Sequence, residues 1–278
     1  MITVKTCEQL AAEVNAAKAT GKKVGFVPTM GALHEGHLSL IAEAKKHADF
    51  VVVSIFVNPL QFGAGEDFEK YPRTIDADSA LLQSAAADLL FLPTVNDVYQ
   101  GNTEITQHAG HIGELYEGAA RPGHFDGMLT VVARLFELVQ PDFAVFGAKD
   151  AQQVFLVRQM AAKQFANLRI IEAPTLREPS GLALSSRNRY LSQHEHAVAT
   201  QLSAALRVGH ATATSPSAAL ESARTMLHKV PEAKLDYIAL VDANSFEAIQ
   251  DGFNGRALML IAAVVGTTRL IDNIEIVF

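Results

Sequence analysis

Short apolar runs alternate with stretches in which apolar residues recur every three or four positions. Residues 24–27 form an apolar run stopped by Pro28, which predicts a buried strand. Beyond Gly31 and Gly36 the pattern turns helical, with Leu38, Ile41 and Ala42 on one side and Glu43, Lys45 and Lys46 on the other. Residues 50–57 (FVVVSIFV) are β-branched and apolar throughout, as a parallel strand covered on both faces must be. The alternation continues with a helix over 78–87, a strand over 89–92 stopped by Pro93, and a helix over 128–139. A strand over 143–146, a helix over 151–165 and a strand over 168–172 follow. This order predicts an α/β fold, an open parallel sheet with helices on both faces. In such sheets ligands bind outside the carboxyl ends of the strands.

After Pro174 the character changes. Residues 175–190 are polar, contain Pro179 and Gly181, and read as a loop. Alanine-rich helices are predicted over 193–208 and 217–229, then strand-like runs over 236–241, 257–265 and 269–277. The expectation is a smaller α+β domain over 175–278 behind a larger domain over 1–174.

Composition narrows the function classes. With 49% apolar and 19% charged residues the chain is globular, and its formal charge of -7 argues against a nucleic-acid binder. The single cysteine, Cys7, cannot pair within the chain, which fits a reducing cytoplasm. The first residues lack a basic stretch followed by a long apolar run, so no signal peptide is expected. The longest apolar run, 257–265, is too short to span a bilayer, so no membrane partner is expected either.

Three of the chemistry-bearing motifs fall just after predicted strands. In PTMGALHEGHLSL, Gly31 and Gly36 permit a tight turn, and a helix starting near Gly36 would aim free N–H groups at an anion. His34 and His37 would lie beside that end as phosphate contacts. Zinc ligation and plain helix surface stay open, although HEGH lacks the spacing of HExxH. In SIFVNPLQF, Asn58 and Gln61 offer carboxamides to a hydroxyl or carboxylate, or form a polar turn. In FGAKDAQQ, Gly147 permits close approach and Lys149 suits a polyphosphate; Asp150 and Gln153 have the spacing of a capping box on the next helix. LSSRNRY sets hydroxyls beside arginines, as an oxyanion clamp or as a solvated linker. RPGHFDG places Arg121 and His124 ahead of an apolar helix, as an anion contact or a helix entry. There is no GxxxxGK[ST] loop, no GxGxxG and no GxSxG; the pair Gly63 and Gly65 is incomplete.

Taken in order, PTMGALHEGH, SIFVNPLQF, FGAKDAQQ and LSSRNRY resemble the pantoate–β-alanine ligase family over residues 24–191. HEGH resembles the HxGH signature of nucleotidyltransferases. The resemblance implies a Rossmann-like domain, a smaller domain covering the active site, and a homodimer. It implies that ATP and pantoate form pantoyl adenylate and pyrophosphate, with Mg2+, and that β-alanine then displaces AMP. Met30, Gly31, Ala32, Leu33, His34, Glu35, Gly36 and His37 would line ATP, with His37 as proton donor. Gly147, Ala148, Lys149 and Asp150 would also contact the nucleotide, with Lys149 on its phosphates. Leu176, Leu184, Ser185, Ser186 and Arg187 would close over it. The resemblance makes His34, His37, Lys149 and Arg187 the catalytic group, with Gln61 and Gln153 on pantoate and Asn58, Tyr71, Arg121 and His124 beside them. Which residues would hold the metal is left open. Ala148 and Ala151 stand where the family often has Glu and Tyr, and Leu184 where it often has Met. A related adenylyltransferase that leaves AMP on its product would share HxGH but lack Asn58 with Gln61. A nucleotide sensor would bind ATP without turnover.

Overall fold

Each strand expected in the amino-terminal part forms in the computed structural model, which describes residues 1–63, 68–69 and 71–278. Gly65 of the incomplete glycine pair lies outside the described residues. The elements run β1 (Ile2–Val4), α1 (Cys7–Ala19), β2 (Val24–Thr29), α2 (Glu35–Ala44), β3 (Phe50–Ile55), α3 (Ile75–Ser84), β4 (Leu89–Phe91), α4 (Val95–Tyr99), α5 (Glu117–Ala120), α6 (His124–Val139), β5 (Phe143–Gly147), α7 (Ala151–Gln164) and β6 (Arg169–Ala173). The strands form one parallel sheet in the order β1-β4-β3-β2-β5-β6.

β3 is buried at every position, which is why its sequence shows no polar face. β2 pairs with β3 from Val24↔Phe50 to Thr29↔Ile55, and with β5 through Gly25↔Phe143 and Phe26↔Ala144. Chain order therefore reverses between β2 and β5, and an open α/β sheet leaves its crevice at the carboxyl ends flanking such a reversal. One face of the sheet packs Val27, Val53 and Ile55 against Ile41 of α2 and Leu82 of α3. On the core residue Phe136 of α6, three edge-on rings converge: Phe26, Phe146 and Phe165.

Several boundaries differ from the sequence reading, β2 continuing through Pro28 to Thr29 and β3 ending at Ile55 among them, and three bear on the site. α3 begins at Ile75, not at 78, with Thr74 at its cap position. α6 begins at His124, four residues early, because Gly123 enters it at φ +80, a conformation costly for other residues. His124 therefore belongs to the helix rather than preceding it. Residues 148–150 form a 3-10 turn that runs directly into α7, so Asp150 sits within the helical ramp and does not stand ahead of it as a cap.

The chain divides into two compact units: Met1–Ala148 with Gln152–Pro174, and Lys149–Ala151 with Thr175–Phe278. The second contains α8 (Gln193–Ala211), α9 (Pro216–Leu227), β7 (Ala233–Asp242), β8 (Arg256–Val265) and β9 (Thr268–Val277). Ser192 and Glu195 cap α8 reciprocally; Ser215 caps α9 ahead of Pro216. The strands form an antiparallel sheet with β8 central. Leu202 and Leu206 of α8 and Ala219 and Ala223 of α9 share a core with Met259 and Ile261. A Cβ on Gly209 would come within 2.9 Å of Ala219 O, so glycine there lets the two helices close. Among the described residues no helix is long and apolar enough to cross a membrane.

Candidate active site

The turn after β2 is built by two consecutive residues in left-handed conformation, Gly31 (φ +86) and Ala32 (φ +50). Thr29 starts it: its hydroxyl donates to Ser54 O at 2.7 Å and accepts from Gly31 N at 3.2 Å. His34 ends it in extended conformation as the N-cap of α2. Its Nδ1 accepts from Gly36 N at 3.1 Å, and His37 Nδ1 accepts from His34 N at 3.3 Å. The rings lie 4.2 Å apart, centroid to centroid. An imidazole nitrogen that accepts an N–H carries no proton, so both neutral rings hold theirs on Nε2. Two Nε2–H donors thus accompany the positive end of α2. Such an end favours negative charge, and both histidines are half-buried.

The turn after β3 supplies the carboxamides. Asn58 is 1% exposed, and all its hydrogen-bonding capacity is used. Its Oδ1 accepts from Tyr99 Oη at 2.6 Å and Leu60 N at 3.2 Å; its Nδ2 donates to Gly127 O at 3.1 Å and Gln61 Oε1 at 3.2 Å. Asn58 therefore orients its neighbour rather than presenting a group of its own. Burial pushes the Tyr99 phenol well above its usual range, which keeps that donor protonated. Because Gln61 Oε1 faces Asn58, its Nε2 is the remaining donor, and it lies 2.9 Å from Met30 Sδ. The turn can sit this close to α6 only because residue 127 is glycine: a Cβ there would fall 2.0 Å from Leu60 O. His124 Nδ1 donates to Gln61 O at 2.8 Å, and its Nε2 accepts from Arg121 Nη1 at 3.0 Å. One compact unit thus brings Met30, His34, His37, Asn58, Gln61, Arg121 and His124 to linked or adjacent turns.

Other expected residues are placed differently. Ala32 and Leu33 are buried, and their N–H groups both go to Asp78, at 2.9 and 2.8 Å. Neither offers its amide to a nucleotide. Glu35 is exposed in the first turn of α2. Tyr71 is buried edge-on against Phe62. Gln153 is half-buried in the first turn of α7. A Cβ on Gly147 would make only an ordinary 3.7 Å contact with Leu40, so packing does not demand glycine there. That leaves close approach of a ligand to the end of β5 as a reason for it.

The second unit holds the remaining group. Lys149 Nζ lies 3.5 Å from Asp150 Oδ1, and Asn273 Nδ2 donates to Lys149 O at 2.9 Å. Leu176 and Leu184 sit opposite each other across a narrow loop, Leu184 N donating to Leu176 O at 3.0 Å. Ser185 caps a 3-10 turn, Ser186–Tyr190, through Arg187 N at 3.3 Å. Ser186 and Arg187 are half-buried. LSSRNRY is therefore a structured turn, not a solvated linker.

Two residues with no local sequence signal matter to these turns, Asp78 and Tyr99. Each acts on backbone or side chains far away in the sequence, so no motif flags it. Gln152, inside FGAKDAQQ, donates to Ile112 O and Leu115 O and accepts from Glu117 N.

An all-parallel sheet with a histidine-capped helix beside its chain reversal places the first unit in the class of Rossmann-like α/β folds. Comparison narrows the class. The family model for pantoate–β-alanine ligase matches residues 2–275. Pantothenate synthetase of Acidothermus cellulolyticus (strain ATCC 43068 / DSM 8971 / 11B) is 53% identical over 269 residues, covering 94% of this chain and 88% of that one. The crystal structure of pantothenate synthetase from Thermus thermophilus superposes with a TM-score of 0.93 at 46% identity, covering 99% of each chain. A pantoate–β-alanine ligase from Francisella tularensis, complexed with β-γ ATP and β-alanine, superposes with a TM-score of 0.81 at 37% identity, covering 99% of this chain and 97% of that one. The chain belongs to the pantoate–β-alanine ligase family.

Proposed function

We propose that this chain condenses pantoate with β-alanine at the expense of ATP, through pantoyl adenylate, releasing pyrophosphate and then AMP. The observation that carries the reading is the pair of imidazoles at the N-terminus of α2, each accepting a backbone N–H on Nδ1, in a unit that also holds the Gln61 amide next to Met30, in a chain of this family. A triphosphate fits the first group and a carboxylate or hydroxyl the second.

The chemistry needs no protein nucleophile. A pantoate carboxylate oxygen attacks the α-phosphorus, the bond to the bridging oxygen breaks, and pyrophosphate leaves. Negative charge then develops on non-bridging and leaving oxygens, where fixed donors act without reorganising. His34 and His37 supply two such donors, Lys149 and Arg187 positive charge. His37 works here as a neutral donor through Nε2; protonating Nδ1 would cost its bond from His34 N. Gln61, Gln153, Arg121 and His124 orient pantoate, and Asn58 orients Gln61. Tyr71, packed edge-on against Phe62, is the remaining candidate beside pantoate. In the second step the β-alanine amine attacks the acyl carbon, the acyl–phosphate bond breaks, and AMP departs with its oxygen.

Among the described residues no group of three or more His, Cys, Asp or Glu is placed to hold a metal ion. Mg2+ accompanying ATP would supply positive charge to offset the charge developing on the phosphates. The first unit is assigned to ATP and pantoate, the second to covering them. The homodimer and the cytoplasmic location that the resemblance and the cysteine usage imply complete the reading.

The test is ATP–pyrophosphate exchange without β-alanine. Exchange that requires pantoate is expected. Bound ATP with no exchange would favour the nucleotide sensor, and exchange with another acceptor would favour a related adenylyltransferase.

A further inference from the structure

We propose that Asp78 is a positioning residue for the ATP turn: its carboxylate takes the place of an anion inside the turn and so fixes where His34 and His37 point. The inference rests on the reading that this turn binds ATP. Asp78 is on α3 and is 2% exposed. Its Oδ2 accepts Ala32 N at 2.9 Å and its Oδ1 accepts Leu33 N at 2.8 Å. The Thr74 hydroxyl lies 3.2 Å from both oxygens. No lysine, arginine or histidine among the described residues forms an ion pair with it.

Consecutive amides turned to one side by left-handed residues make a concavity that binds anions. In this turn Gly31 and Ala32 create the concavity, and the protein fills it with its own carboxylate. All three groups that reach Asp78 are donors. Only a group that accepts on both oxygens satisfies them. An asparagine would set its NH2 against one of the two backbone N–H groups. The next residue after the clasped pair is His34, whose extended backbone caps α2. Releasing the pair frees φ and ψ immediately before the cap, which moves both imidazoles together. Asp78 is too deeply enclosed to meet substrate, so its effect passes through the turn.

The experiment compares D78A and D78N with the unaltered chain. ATP affinity is read by calorimetry and pantoate-dependent exchange by label incorporation, with and without added sodium formate. D78A should lose about 100-fold in exchange, the scale that a displacement of about 1 Å brings. Its ATP affinity should fall while its KM for β-alanine in the full reaction stays unchanged. Formate should restore much of the exchange to D78A by occupying the vacated position between the two amides, and should do nothing for D78N. D78N should lose about tenfold. A folded D78A with normal ATP affinity and exchange overturns the proposal, and so does a loss that formate leaves untouched. Should D78A not fold, D78N decides: a raised ATP KM beside an unchanged β-alanine KM supports the role, and an unchanged ATP KM removes it. If the unaltered chain shows no exchange, the functional reading fails on its own, and ATP affinity in the two variants still decides for or against Asp78.

Discussion

The turn over residues 29–34 and the loop over residues 176–188 each lean on a buried aspartate of their own unit, Asp78 in the first and Asp272 in the second. Asp78 takes backbone N–H groups of the turn directly. Asp272, on β9, takes a side chain: Arg177 Nη1 and Nη2 reach its two oxygens at 2.6 and 2.8 Å. The loop's own backbone supplies its shape, through Glu178 N to Leu182 O at 2.9 Å, Gly181 N to Glu178 O at 2.8 Å and Leu184 N to Leu176 O at 3.0 Å. The turn, by contrast, borrows its shape from another helix. A carboxylate that binds amides fixes dihedral angles; one that binds a guanidinium fixes only where a loop is tethered. Loss of the first should alter geometry at the histidines, and loss of the second should cost stability with little change of loop conformation.

The largest effect on activity is expected at the start of α2, which the borrowed turn leads into. His37→Ala should cost ~3 kcal/mol of transition-state stabilisation, by analogy with loss of one oxyanion donor. Pantoate-dependent pyrophosphate release would then fall about 100-fold in a folded protein. Turnover near normal would remove His37 from the catalytic group and shift the weight to the second unit. Next comes Asp272→Ala. It leaves the Arg177 guanidinium without its carboxylate, and Asp272 Oδ1 also accepts Asn273 N at 2.8 Å. Removing one member of a buried pair costs ~3–5 kcal/mol; the Arg177 side chain is 28% exposed, which puts this pair near about 3. Urea unfolding should register that loss while ATP affinity moves less than it does in D78A. An unchanged unfolding midpoint would mean that the guanidinium pair is no tether at all.

What can be read from the sequence follows the same division. β2, β3 and β5 are legible because strands covered on both faces must be continuously apolar. His34 and His37 are legible because a cap and its first turn are neighbours in sequence. β1 is not: it has three residues, and only Val4 is buried, too little for any periodicity. By sequence Asn58 is open to two readings, a group facing ligand or a turn former; Tyr99, Gly127, Leu60 and Gln61 occupy all of it, and the bond from Leu60 N is that of a turn former. Asp78 is invisible because its amide partners lie 46 and 45 residues away. Long-range side-chain to backbone bonds leave no periodic trace. The turn's dependence on α3 is therefore absent from the sequence pattern, while the loop over 176–188, made of local bonds, shows in it as a loop.

The smallest effect separates the carboxylate from the packing around it. Ala32 is fully buried and sits at φ +50, where a Cβ is strained by ~1–2 kcal/mol. Ala32→Gly relieves that strain. It also removes a buried methyl, worth ~0.8 kcal/mol, and gives the unfolded chain freedom worth roughly 0.5–1 kcal/mol. These contributions nearly cancel, so the melting midpoint should shift by no more than the equivalent of ~1 kcal/mol. The two amides at residues 32 and 33 remain in place for Asp78 to hold. If the carboxylate dictates the turn, ATP affinity and the exchange rate should therefore stay within about twofold, a free-energy change of ~0.4 kcal/mol. A clear loss of ATP affinity, with stability intact, would assign the turn's shape to the Ala32 methyl group packed in the core, and the contrast between a borrowed shape and a tethered loop would collapse into two differently packed loops.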